Sequence, residues 1–299
     1  MDWLVSTAPA GCLPAGANQP NHSMNTVLST APNTSATDVP RDKRSVERLL
    51  APLDQIAESS PHFLSKSFGQ FQSAGQSYRL PRYVYLGPKG GGDTIRIGIF
   101  ATIHGDEPEG ALSLKRFVES LEQNRELAKG YALFIYPICN PTGFEDNTRH
   151  SRNGKDLNRE FWKDSPEPEV QFLQTEIWTH AFHGIVTLHS DDTSDGLYGF
   201  VNGAVLSDNL LEPALAEAGP ILPRNKRRTI DGFPARRGII YESYAGVLRS
   251  VPSLKIPPFE LTLETPQKAP LHRQVEAFAT ALKTILVEYR YLMAIARNI

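Results

Sequence analysis

The sequence predicts an α/β fold: a single domain with a mixed, mostly parallel twisted sheet flanked by helices on both faces. Three observations carry that prediction. From residue 45 onward, short apolar segments alternate with segments of helical periodicity. The strand segments read as near-continuous apolar runs, as strands covered on both faces do, and ALFIYPIC at 132–139 is the clearest. The composition, 40% hydrophobic and 21% charged over 299 residues, suits a chain with a sizeable core.

The elements follow in order. Residues 1–42 are rich in Ala, Pro, Ser, Thr and Asn and read as a disordered leader, part of which would be an upstream start before Met24. The catalytic-type domain is then 43–299. Val46, Leu49, Leu50, Leu53 and Ile56 recur at helical spacing and predict a helix over 45–59. Strands are expected at 83–86 and 94–102, with a Gly-rich turn at 88–92 between them. Leu114, Phe117, Val118 and Leu121 mark an amphipathic helix, and 132–139 a buried strand. A polar loop covers 140–158. A helix near 169–182, a strand at 185–190 and a helix near 209–218 come next. A strand at 259–265 and a closing helix over 270–297 complete the chain. In such a fold, functional groups gather in loops at the carboxyl ends of strands.

Bulk properties exclude several classes. The formal net charge is -2, from 31 basic and 33 acidic side chains, which leaves no footprint for nucleic acid or an anionic membrane. Cys12 and Cys139 read as unpaired thiols. No apolar run approaches the ~18 residues of a membrane span. The first residues lack a basic start and a continuous apolar stretch, so a cytoplasmic location is expected.

The strand segment ending at Thr102 runs into Ile103-His104-Gly105-Asp106-Glu107. His104 and Glu107 lie three residues apart just past a strand end, and in a tight turn they can face one point. Neutral imidazole and carboxylate are both zinc ligands. The segment 185–188 ends in His189, a third candidate from another strand end. Two His and one Glu leave a fourth position for water, the catalytic arrangement rather than the structural one. A metal hydrolase also needs a proton carrier and a donor for the developing oxyanion. In FELTLETP at 259–266, Glu260, Thr262 and Glu264 point away from the face of Phe259, Leu261 and Leu263. Glu264 is the candidate base and Glu260, one pleat earlier, its competitor. A solvated strand face is the plain alternative for either.

The loop after Cys139 reads Asn140-Pro141-Thr142-Gly143 and later Arg149-His150-Ser151-Arg152-Asn153-Gly154-Lys155-Asp156-Leu157-Asn158-Arg159. Following His-x-x-Glu at this distance, it resembles the zinc metallocarboxypeptidases of the His-x-x-Glu … His type, which are carboxypeptidase A-like. Within them it is closest to the bacterial murein peptide amidases and the succinylglutamate desuccinylase/aspartoacylase branch. Thr142 stands where that family's turn carries Asp, and Ser151 and Asn153 where Arg-x-Asn is common. The core from Gly154 to Arg159 is intact. The resemblance runs from about residue 45 to the C-terminus.

The resemblance implies that His104, Glu107 and His189 bind Zn2+ and that Glu264 is general base and acid. It implies that Arg149, with Arg152 as the alternative, polarises the scissile carbonyl. Asn158 and Arg159 would hold the substrate's terminal carboxylate, for which a planar guanidinium gives a bidentate clamp. Asp156 would accept the other ring N–H of His104. Tyr241, with Tyr244 as rival, would cover bound substrate.

The expected function is zinc-dependent cleavage of an amide or peptide bond next to a free C-terminal carboxylate, on a small or murein-type peptide. The alternative within the family is an N-acyl amino acid deacylase. Deacylases of that branch usually begin close to the first ligand and carry a β-rich domain after the base. The folded stretch before His104 and the single helix after Glu264 favour the carboxypeptidase side. A silent relative that only binds carboxylates would have lost a ligand or the base, and each role here keeps a candidate. Arg249 and Lys255 lie between Tyr241 and Glu264. A basic residue there would favour an acidic or diaminopimelate-like terminal group, and solvent exposure is the plain alternative. The expected partner is a small peptide or an N-acyl amino acid. Oligomeric state is not legible.

Overall fold

The computed structural model describes residues 44–202, 204–252 and 254–296, so the expected leader and Cys12 lie outside the described residues. The chain forms α1 (Val46–Ser59), β1 (Phe63–Ser73), β2 (Gln76–Leu86), β3 (Ile95–Ala101), α2 (Glu109–Gln123), β4 (Tyr131–Tyr136) and α3 (Pro141–Asp146). There follow α4 (Pro168–His180), β5 (Gly184–Asp191), β6 (Tyr198–Asn202), α5 (Ala204–Ala218), β7 (Thr229–Ile230), β8 (Phe233–Arg236), β9 (Ile239–Ile240), β10 (Phe259–Pro266) and α6 (Leu271–Ala296).

One ten-stranded sheet runs in the order β1-β2-β4-β3-β5-β10-β6-β9-β8-β7. Its centre, β4-β3-β5-β10, is parallel, and antiparallel pairs flank it. The expected mixed sheet is therefore present, with its parallel part at the core. Every side chain of β4 is buried, which explains the uninterrupted apolar run.

Alternation sorts the strands onto two faces. On β3, Ile95, Ile97 and Ile99 pack with α1, α2, α5 and α6, as do Val186 and Leu188 of β5 and Leu261 and Leu263 of β10. The opposite face carries Phe100, Ile185 and Phe134 against Val170, Leu173 and Ile177 of α4. It is on this second face that Thr187, His189, Thr262 and Glu264 project, by period two.

Two departures from expectation have simple causes. β1 carries little apolar periodicity because it is the sheet edge, with most of its side chains exposed or half-exposed. It is held in register by a hairpin whose turn residues, Ala74 (φ 50) and Gly75 (φ 76), are both left-handed, the geometry of a two-residue type I′ connection. The expected loop over 140–158 contains α3, opened by Asn140, whose side chain accepts the Gly143 N–H, and by Pro141 in its first turn. Cys139 is a free, buried thiol, as expected. No helix among the described residues is long and apolar enough to cross a membrane.

Candidate metal and substrate site

β3 delivers the first two residues through a tight turn. Thr102 sits at φ 54, an uncommon state for a β-branched residue, and the Glu107 N–H donates to the His104 carbonyl at 3.2 Å. Gly105 is required between them. A Cβ there would lie 1.9 Å from the Gly143 carbonyl carbon, so the turn nests against the start of α3 only because the side chain is absent.

His104 Nδ1 lies 2.7 Å from Glu107 Oε1. β5, the neighbour of β3, brings His189 Nδ1 to 3.0 Å from Glu107 Oε2 and 3.2 Å from His104 Nδ1. All three residues are buried, and their donor atoms lie within 4.8 Å of one another. The outer contacts prepare this set for a cation. His104 Nε2 lies 3.2 Å from Asp156 Oδ1, which fixes the ring proton on Nε2 and leaves the Nδ1 lone pair facing inward. The Ser190 N–H donates to Glu107 Oε2 at 3.1 Å. Two imidazole nitrogens and a carboxylate converging in a buried spot, open toward a cavity, fit a divalent metal.

The electrostatics agree. Burial alone would raise the Glu107 carboxyl, but the adjacent His104 and His189 outweigh it and hold the group below the usual carboxylate range. Burial lowers His189. Burial also works to lower His104, but there the Glu107 charge and the Asp156 hydrogen bond prevail and raise it.

These groups open into a cavity of about 380 Å³. Glu264 lines it from β10, directly opposite His189 in the parallel register. Burial, then the carboxylates of Glu107, Asp191 and Asp231, push Glu264 well above its ordinary pKa. Its competitor Glu260 is engaged elsewhere: Oε1 accepts the Ser250 N–H at 2.7 Å. Arg149 lines the cavity too, with Nε and Nη2 on Asp156 Oδ2 at 3.1 and 3.0 Å and Nη1 3.6 Å from Glu107 Oε1. Arg152 does not line it. That guanidinium grips both oxygens of Asp146 at 2.7 and 2.8 Å and donates to Tyr78 Oη at 2.7 Å.

Asn158 and Arg159 line the cavity. Tyr241 does not: it is exposed and outside the cavity wall, whereas its rival Tyr244 is part of that wall. The irregular backbone after β9 obeys no period that would assign the facing of either tyrosine. Lys255 is exposed, while Arg249 borders a side cavity of about 30 Å³ that shares Thr187, Leu248 and Thr262 with the main one.

Sequence reasoning placed Thr262 on the face of Glu264 without giving it a role and missed Thr187; their hydroxyls meet at 2.8 Å in the cavity lining. Thr187 lies two residues before His189 on β5, so the same alternation could have found it. It also missed Asp191 and Asp231 in the wall.

The mixed sheet flanked by helices is a carboxypeptidase-like α/β fold. Residues 93–219 match the succinylglutamate desuccinylase/aspartoacylase catalytic domain. A Shewanella amazonensis structure assigned as a metallopeptidase superposes with a TM-score of 0.66 at 24% identity, over 81% of this chain and 92% of that one. A metallo-carboxypeptidase from Burkholderia cenocepacia gives 0.65 at 18% identity, over 84% and 70%. A metallo-carboxypeptidase from Pseudomonas aeruginosa, in complex with (2-guanidinoethylmercapto)succinic acid, gives 0.59 at 20%, over 82% and 69%. No curated protein matches significantly. The chain thus shares its fold with these metallo-carboxypeptidase structures, and its segment 93–219 is similar to the succinylglutamate desuccinylase/aspartoacylase catalytic domain.

Proposed function

We propose that this chain is a zinc-dependent hydrolase that cleaves an amide bond adjacent to a free carboxylate. The observation that carries this reading is the convergence, on one cavity, of a His-Glu-His cluster, the Glu264 carboxyl in register with His189, and three cation or amide donors, Arg149, Asn158 and Arg159. His104, Glu107 and His189 would hold zinc. A zinc ion there supplies Lewis acidity toward the scissile carbonyl and makes the attacking water more acidic.

The chain's own residues do the rest. Glu264 takes a proton from the attacking water and returns one to the leaving amine nitrogen as the C–N bond breaks. Arg149, held by Asp156, presents a fixed positive charge to the oxygen on which negative charge develops. Asn158 and Arg159 hold the carboxylate of the substrate and so set the scissile bond against the cluster. Water is consumed, and one carboxylate and one amine are released.

The peptidase reading draws support from the carboxypeptidase neighbours, which share the fold over most of this chain. The match of residues 93–219 favours a second reading, release of an acyl group from an N-acyl amino acid. Both use the same residues on the same bond type. Dipeptides and N-acyl amino acids, each with a free or amidated terminus, separate them when assayed with zinc-loaded protein and with Glu264→Gln. Free-acid substrates are expected to turn over, and Glu264→Gln to lose at least about 10²-fold in kcat with zinc still bound. Undiminished turnover in Glu264→Gln would remove Glu264 from the mechanism, and indifference to amidation would remove the carboxylate clamp.

A further inference from the structure

Residues 244–248, which follow β9, contact both residues assigned above to the substrate carboxylate and the neighbouring Phe161 backbone. The Leu248 N–H donates to Asn158 Oδ1 at 2.8 Å. That bond sets the Asn158 amide orientation, so Nδ2 faces the cavity side, 3.5 Å from His189 Nε2. The Tyr244 ring lies under the Arg159 guanidinium, 4.2 Å from centroid to the guanidinium carbon. Between these two anchors, the Gly246 carbonyl accepts the Phe161 N–H at 3.0 Å. Gly246 has φ 76, and a Cβ on it would lie 2.3 Å from the Arg159 carbonyl oxygen. Tyr244 is itself fixed: its hydroxyl donates to the Asp231 carbonyl at 3.0 Å, and its ring meets Phe233 edge-on at 4.8 Å.

We propose that the Tyr244–Leu248 loop is a positioning device for carboxylate recognition, holding Asn158 through a backbone N–H and Arg159 through an aromatic face. Arg159 has few other restraints. Its Nη1 donates to the neighbouring Asn158 carbonyl at 2.9 Å, and the ring beneath it orients the rest of the guanidinium. Gly246 is needed because only a residue without a side chain lets the loop press onto the Arg159 backbone while φ is positive. Tyr244 acts through Arg159, so it is a positioning residue and not a catalytic one. The inference rests on the reading that Asn158 and Arg159 hold the carboxylate.

The test compares zinc-loaded wild type, Tyr244→Leu, Tyr244→Phe and Gly246→Ala on matched free-acid and amidated substrates. Thermal-shift titration with the free-acid product and its amide gives a readout that needs no turnover. Tyr244→Leu should raise KM for the acid about 10-fold with kcat nearly unchanged, and leave the amide unaffected, because only the clamp is loosened. Tyr244→Phe keeps the ring and should restore most of the acid preference. Gly246→Ala should lose the preference more fully, and if it fails to fold, the two Tyr244 variants decide alone. Equal acid preference in wild type and Tyr244→Leu overturns the loop's role while leaving the clamp intact. A wild type that prefers neither acid nor amide, in turnover and in binding, overturns the clamp itself and this inference with it.

Discussion

Asp156 is the residue whose replacement tests the site most sharply, because one carboxylate serves two functions. Oδ1 faces His104 Nε2 at 3.2 Å and accepts the Asn158 N–H at 3.0 Å, while Oδ2 accepts from Arg149 Nε and Nη2 at 3.1 and 3.0 Å. Burial would raise this carboxyl, but the His104 hydrogen bond and the Arg149 and Arg159 charges hold it well below the usual range. Asp156→Asn keeps the shape and replaces one oxygen with a donor. In either amide orientation, a donor then faces a donor. The orientation that keeps oxygen toward His104 and Asn158 satisfies two partners, so Arg149 is the one released. Losing a hydrogen bond to a charged group costs about 1.5–3 kcal/mol, or roughly 10- to 150-fold in kcat if it is felt fully in the transition state. Zinc affinity should fall less, by about 10-fold, since His104 keeps an acceptor that has lost its charge. The assay is kcat at saturating zinc, with zinc affinity from competition with a chromophoric chelator, in a cycle with Arg149→Ala. Asp156→Asn should cost little further kcat once Arg149 is gone. Fully additive costs, or wild-type kcat at saturating zinc in Asp156→Asn, would refute the claim that Asp156 holds Arg149 in place.

Three further outcomes are expected. Arg152→Ala should keep kcat within about 3-fold of wild type, because its guanidinium is spent on Asp146 and Tyr78, and a loss as large as that of Arg149→Ala would exchange their roles. Gly105→Ala should lose stoichiometric zinc in elemental analysis, since a Cβ 1.9 Å from the Gly143 backbone forces the His104–Glu107 turn away from α3. Glu169 is buried with Oε2 lacking a partner, and burial pushes it up to about 7 from 4.5. A raised carboxyl contributes stability that is whole below pH ~4.5 and lost as pH rises through ~7, which is worth about 3 kcal/mol at full ionisation. Glu169→Gln should therefore match wild type in urea unfolding at pH 5 and exceed it by about 2–3 kcal/mol at pH 8.5; parallel pH profiles would show that Glu169 does not ionise in this way.

How much of this was legible in the sequence depends on what kind of information each part carries. His104, His189 and Glu264 end or interrupt apolar runs, and a polar residue at the end of a buried strand is conspicuous against its neighbours. The parallel centre of the sheet then brings those ends together, with Glu264 opposite His189. The Asp156–Arg159 segment was legible because charge and amide groups are dense there and match a family pattern. β1 was not, because an edge strand buries too little to impose alternation.

The loop that grips Asn158 and Arg159 was illegible for a different reason. It works through a backbone N–H at Leu248, a missing Cβ at Gly246 and the face of a ring at Tyr244. None of these is a side-chain chemistry that sequence spacing announces. Its direction is set by contacts to a segment almost ninety residues earlier, which is why Tyr241 and Tyr244 could not be told apart before the backbone was known. Residues that carry reactive groups can be read from composition and period. The residues that aim them are visible only once non-local packing has chosen which face of an irregular loop turns inward. In this chain, the division falls between the Asn158–Arg159 pair and the loop behind it.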